Sequence, residues 1–161
     1  MSSVLRLLCP EDNPMIAQII RDTLSEFGAA KPGTVYFDPT TDDLYTLFRQ
    51  PQSLYLVAET DGAVVGGCGI FPTPGLPSGF CELVKLYLKP EARGKGLGKD
   101  LILRCLEQAR ALGFRSVYLE SMDELRAAVS LYEHLGFQQI SAPLGQSGHF
   151  GCSIWMVKSI S

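Results

Sequence analysis

The spacing of apolar positions changes along the chain, and each change marks an element. Val4 to Leu8 reads as a short strand that Pro10 breaks. Asn13 is an N-cap with Pro14 at the first helical position. Met15, Ile16, Ile19, Ile20, Thr23, Leu24 and Phe27 then recur every three or four residues, which places them on one face of a helix that Gly28 ends. Residues 29–39 read as a loop. A short second helix from about Thr41 carries Leu44, Leu47 and Phe48 inward and closes at Pro51. Three strands follow, at Leu54–Thr60, Ala63–Phe71 and Phe80–Leu88. Asp61-Gly62 is a hairpin turn signal between the first two, and the three read as an antiparallel meander.

The second half returns to helical spacing. Leu97, Leu101, Ile102, Cys105, Leu106, Ala109 and Leu112 form the inner face of a long helix capped by Gly113. Lys99, Arg104, Glu107 and Arg110 on the other face are expected to meet water. Ser116–Glu120 is a strand. Ser121 and Glu124 form a capping-box pattern before a helix that buries Leu125, Ala128, Val129, Leu131 and Leu135 and stops at Gly136. Phe137–Ile140 and Cys152–Val157 are the last strands, joined by a polar, Gly-rich loop over residues 141–151. No linker, repeat or low-complexity segment interrupts this order, so residues 1–161 read as a single α/β domain.

Composition narrows the function classes. Hydrophobic residues make up 46% and charged residues 19%, an ordinary globular balance. The net charge is −3 and there is no basic block, which speaks against nucleic acid as a partner. No apolar run is long enough to span a bilayer, and Arg6 followed by Pro10-Glu11-Asp12 is not the form of a signal peptide. The expectation is a cytoplasmic protein without a membrane partner. The five cysteines are Cys9, Cys68, Cys81, Cys105 and Cys152. They are odd in number, contain no Cys-x-x-Cys, and have neither His134 nor His149 at zinc spacing. Reduced thiols and no metal are expected.

The richest chemistry lies in Arg93-Gly94-Lys95-Gly96-Leu97-Gly98-Lys99, after a strand and at the opening of a helix. Glycines let the backbone approach a ligand, and free N–H groups at a helix start receive anions. Arg93, Lys95 and Lys99 add positive charge. The Walker A pattern fails because Asp100 follows Gly98-Lys99, and the dinucleotide fingerprint fails because Lys99 stands where its third glycine belongs. A pyrophosphate site of another kind remains.

Leu86-x-Leu88-x-Pro90-x-x-Arg93-Gly94-x-Gly96-x-Gly98, followed later by Leu131-Tyr132-Glu133-x-Leu135-Gly136-Phe137, resembles the GNAT family of N-acetyltransferases. The resemblance covers nearly the whole chain. It implies a mixed, mostly antiparallel central sheet flanked by helices, with strands four and five splayed around the pantetheine arm of acetyl-CoA. Backbone groups near Leu86 and Leu88 would pair with that arm. Gly94, Lys95, Gly96, Gly98 and Lys99 would hold the pyrophosphate through main-chain N–H groups, with Arg93 beside them. Many members carry Asn seven residues before the tyrosine, where this chain has Leu125.

The implied reaction moves an acetyl group from acetyl-CoA to a primary amine of a small molecule or peptide. The resemblance makes Tyr132 the candidate proton donor to the departing sulfur; the alternative is a core tyrosine. Glu82 is the candidate base, against a strand-edge carboxylate paired with Lys85 or Arg115. Asp123, His149 and Glu120 are weaker candidates. Cys152 near His149 reads as a packing thiol at the head of an apolar strand rather than a nucleophile. The acceptor would be set by residues 29–39, the second helix, and the loops at 72–79 and 141–151. Rival readings are a coenzyme A-binding relative without turnover and a nucleotide enzyme using the same loop. A homodimer through the sheet edge or helices is left open.

Overall fold

A computed structural model describes residues 2–161. Its centre is a seven-stranded sheet. The strands are β1 (Ser3–Leu7), β2 (Leu54–Thr60), β3 (Ala63–Phe71), β4 (Phe80–Leu88), β5 (Ser116–Ser121), β6 (Gln138–Ile140) and β7 (Ile154–Ser159), in the order β1-β2-β3-β4-β5-β7-β6. Every pair is antiparallel except β4–β5, which is parallel. The meander read from the sequence is present, and β1 extends it by one strand. Asp61 and Gly62 both take positive φ, 51° and 82°, as the hairpin turn requires.

Helices cover both faces. α1 (Asn13–Glu26) and α2 (Leu44–Leu47) pack Ile16, Ile20, Leu24 and Leu44 against Tyr55, Val57 and Tyr87. α3 (Leu97–Ala111) and α4 (Arg126–His134) pack Leu101, Ile102, Cys105, Val129 and Tyr132 against Cys68, Ile70, Cys81, Leu83 and Leu119. Among the described residues no helix is long and apolar enough to cross a membrane.

Three local expectations are corrected. Asn13 is the first residue of α1 rather than its cap, because Pro10–Asp12 already forms a 3-10 turn. Its side chain instead accepts from the Tyr45 N–H (3.0 Å) and donates to Asp43 (2.9 Å), tying α1 to α2. α2 starts later than Thr41, after a 3-10 turn at Pro39–Asp42, and Asp43 caps it by accepting from the Thr46 N–H at 3.2 Å. The Ser121–Glu124 capping box does not form. Ser121 stays extended in β5, paired with Ile154, while Glu124 turns to Lys31 (2.6 Å) and α4 begins only at Arg126.

What positions the functional cleft is a distortion of β4. Gly67 pairs with Tyr87 and Gly69 with Val84, so Cys68 faces two residues, Lys85 and Leu86. That is a β-bulge, and Lys85 sits in it with φ +56°. Tyr55 on β2 holds the bulge from across the sheet. Its ring passes under β3, and its hydroxyl donates to the Lys85 carbonyl at 2.8 Å. Glycines on β3 make the passage possible. A Cβ on Gly67 would lie 2.4 Å from the Tyr55 ring and 2.7 Å from the Leu56 carbonyl. We therefore expect Gly67→Ala to destabilise the protein by about 3 kcal/mol, read as a lowered denaturation midpoint, since neither ring nor backbone has room to yield. An unchanged midpoint would mean that this close approach is not a constraint.

Candidate functional site

β4 and β5 stay together only from Phe80 to Glu82, opposite Ser116 to Tyr118. Beyond Glu82 the bulge turns β4 away, and the edge from Val84 to Leu88 loses its neighbour. A cavity of about 400 Å³ opens there, reaching from Glu82 along β4 to Gly94, Gly96, Gly98 and Lys99, with Tyr132 and Leu125 on the opposite wall. The expected splay of strands four and five is therefore present, and its cause is local: a positive-φ residue in mid-strand.

At the outer end lies the glycine loop. Gly94 and Gly96 take φ of +74° and +82°, and a Cβ built on either would meet nothing within 4 Å. The loop is bare on its outer side, and side chains there would fill the approach to its backbone. The first bond of α3 runs from the Asp100 N–H to the Gly96 carbonyl (3.0 Å). Leu97, Gly98 and Lys99 therefore have N–H groups without an intrahelical acceptor, at the positive end of the helix dipole. At Gly98 a Cβ would stand in ordinary contact, 3.5 Å from both Leu131 and Leu88. The donors suit an anion such as a diphosphate.

The side chains of the two cations at the head of the loop border different cavities. Lys95 lies with Ser3, Thr60 and Glu91 on the side of the loop away from the main cavity. Arg93 borders the cavity, but its guanidinium is already held. It makes a paired bond to Glu26 (both 2.9 Å), donates to the Leu88 carbonyl (3.1 Å) and rests 5.1 Å above the Phe27 ring. It ties the loop to the end of α1 and occupies the Leu88 carbonyl. Leu86 lies in the bulge on the unpaired edge, as expected, and Lys99 borders the cavity.

The inner end is built from residues far apart in sequence. Glu82 is the last β4 residue paired to β5, and its side chain accepts from the Thr73 hydroxyl at 2.6 Å. It is only 4% exposed and has no bond to Arg115, while the charge of Lys85 does reach it. Burial raises its pKa from 4.5 to about 7; the neighbouring Glu120 adds to the rise, and the Thr73 bond, His149 and Lys85 oppose it. Glu120 is also buried, held by the hydroxyls of Tyr118 (2.6 Å) and Ser147. Asp123 is exposed and away from the cavity. His149, a weaker candidate base from the sequence, borders the cavity, is 15% exposed, and has its Nε2 2.7 Å from Asp38. Burial lowers its pKa, but the bond and charge of Asp38 outweigh that and leave it raised. A further bond, from the Gly151 N–H to the Gly33 carbonyl (2.8 Å), locks the 141–151 loop onto the 29–39 loop.

Tyr132 is 8% exposed and packs edge-on against Phe137 at 5.9 Å. Its hydroxyl bonds to no residue among those described, and no enclosed side-chain oxygen lacks a partner, so it opens into the cavity. Burial raises its pKa well above the ordinary value, which keeps the hydroxyl protonated. Cys152 is not in β7. It precedes the strand and borders the cavity, and burial lifts its thiol to about 12, which suits neither a nucleophile nor a metal ligand. No cluster of metal-binding side chains occurs among the described residues. Leu125 lines the cavity where a polar Asn was looked for, giving that wall an apolar surface.

A sheet split by a bulge, an open diphosphate cradle and a buried carboxyl and phenol along one cleft define an acyl-carrier transferase fold. Comparison with known proteins gives the family. Residues 16–137 match the acetyltransferase (GNAT) family. The chain is 46% identical over 99% of its length, and 96% of the relative's, to an uncharacterized N-acetyltransferase, YjgM, of Escherichia coli K12. Two solved structures share the fold. A GNAT acetyltransferase of Staphylococcus aureus Mu50 has a TM-score of 0.89 at 14% identity, covering 99% of this chain and 100% of that one. The paia N-acetyltransferase of Thermoplasma acidophilum, in complex with coenzyme A, has a TM-score of 0.77 at 22% identity, covering 99% of each. The chain belongs to the GNAT family of acetyltransferases.

The raised Glu82 pKa has a consequence for folding. The folded protein holds this proton more tightly than the unfolded chain, so the contribution to stability is complete below pH 4.5 and is lost as pH rises through about 7. Glu82→Gln has no charge to bury. We expect the variant to match the parent near pH 4 and to exceed it at pH 8.5 by about 3 kcal/mol, followed by denaturant titration at both pH values. A stability difference independent of pH would show that Glu82 is not held in this environment.

Proposed function

We propose that the protein transfers an acetyl group from acetyl-CoA to a primary amine by direct attack of the amine on the thioester. The observation that carries this reading is the meeting of Glu82 and Tyr132 in one cleft that ends at the bare N–H groups of the glycine loop. Gly94, Gly96, Gly98 and Lys99 would hold the diphosphate, and the unpaired edge of β4 near Leu86 would receive the pantetheine arm. Family membership and the coenzyme A complex of the Thermoplasma relative support the same placement. Bound there, acetyl-CoA supplies an activated acetyl group with a thiol leaving group.

The chain must then manage two protons. An alkylammonium with a pKa near 10.4 is neutral in about one molecule in a thousand at pH 7.4, a handicap of roughly 4 kcal/mol. Glu82, with its carboxyl near 7, is the base that takes this proton, directly or through water. The amine nitrogen then bonds to the acetyl carbon while the carbon–sulfur bond breaks, and the nitrogen gives up its second proton to cavity water. Tyr132 donates its hydroxyl hydrogen toward the departing sulfur and recovers a proton from solvent, so that amide, free thiol and one released proton result. The apolar wall formed by Leu125 and Leu131 excludes competing water.

The test is coenzyme A release with acetyl-CoA and a panel of amines. Glu82→Gln should lower kcat/KM by about 10²–10⁴-fold and remove the rise in rate through pH 7, since the carboxylate form is the active one. Tyr132→Phe should lower kcat while leaving coenzyme A affinity unchanged. Parental rates and pH profiles in both variants would refute these roles. Coenzyme A binding without release, for every amine tried, would make the chain a carrier-binding member of the fold.

A further inference from the structure

Lys85 is a charged side chain of the cleft, enclosed by protein, that the reaction above leaves without a task. Residues three apart on a regular strand face opposite sides of the sheet. The bulge overrides this and turns Lys85 toward the Glu82 side, where the charges of Asp38 and Glu82 both reach it. Its side chain is 6% exposed, yet it borders the cavity. Its ammonium pairs with Asp38 Oδ2 at 3.7 Å, a long ion pair, and that oxygen is shared with His149 at 2.7 Å. No other residue among those described accepts from it. No enclosed side-chain nitrogen is without a partner, so this one faces the cavity with its donors free.

A buried ammonium with unused donors is costly, and burial does lower its pKa against the pull of Asp38. An anionic group entering the cavity would supply the missing bonds. Beside it, Glu82 and Glu120 present carboxylates to a cation. The acceptor end of the cleft thus offers one anion-seeking group and a pair of cation-seeking groups.

We propose that the acceptor is an α-amino acid, its carboxylate bound by Lys85 and its amine turned toward Glu82. The proposal rests on the acetyltransferase reading and adds the substrate class to it. His149 and Asp38 keep the two loops closed around this end, and Lys85 is a binding residue, not a proton carrier.

The experiment pairs each standard amino acid with its decarboxylated amine, for example leucine with isoamylamine and phenylalanine with phenethylamine. Coenzyme A release is followed for the parent and for Lys85→Met. The parent should prefer the acid member of a pair. Lys85→Met should raise KM for that acid by about tenfold to a hundredfold beyond whatever it costs the decarboxylated amine, since the Lys85 charge also acts on the Glu82 carboxyl. The comparison of variant with parent cancels the difference in amine basicity. Equal losses for both members would mean that Lys85 acts on the acetyl group or only on packing, and would overturn the proposal. A second measurement needs no variant: 4-methylpentanoate, which has the carboxylate and lacks the amine, should compete with leucine, and absence of competition counts against Lys85 as its receptor. Release with decarboxylated amines alone refutes the amino-acid acceptor and leaves the acetyltransferase reading standing; no release with any amine overturns both.

Discussion

The Tyr55 hydroxyl donates to the carbonyl of Lys85, and the active cleft depends on that bond. Lys85 occupies a left-handed backbone conformation that a long side chain adopts only when its surroundings fix it. Tyr55 reaches it because β3 is glycine-rich where the ring passes. With the bulge in place, β4 parts from β5 after three paired residues, and an unpaired strand edge remains. Open edges usually invite another strand. Here the edge faces a cavity of limited volume, so what it can accept is an extended ligand arm rather than a second chain.

The two ends of the cleft obey different electrostatics. The outer end offers backbone donors and a helix dipole, which hold an anion without burying a side-chain charge. The inner end encloses Glu82, Glu120, Lys85 and His149 within reach of one another, with Asp38 half-buried beside them. Charges this enclosed are tolerable only as a compensated group. Each pKa there answers to the others: Glu82 rises, Lys85 falls, and His149 rises because Asp38 outweighs its burial. A carboxyl near neutrality in contact with cavity solvent is the product of that balance.

Much of this was legible in the sequence. The order of strands and helices, the Asp61-Gly62 hairpin and the glycine loop follow from local spacing and short motifs, while Glu82 and Tyr132 came from the resemblance to the family. The misreadings share one origin. Asn13 and Ser121 were read from their neighbours in the chain, while their partners are distant. Ser121 is held extended by β7. Lys85 was passed over as a pairing partner for Glu82, because a bulge leaves no mark in apolar periodicity. The available signal was indirect: Gly66-Gly67-x-Gly69 within a strand announces a close approach, and a lysine breaks the apolar run of β4.

The central claim is that the parted edge of β4 and the bare amides of the glycine loop form one receptor for a coenzyme A thioester. Amide hydrogen exchange, residue by residue, with and without coenzyme A, tests it most directly. The account predicts slowed exchange both in the segment 84–88 and in the segment 94–99, with little change along β1 and β2. Unaltered exchange in both segments at saturating coenzyme A would contradict it.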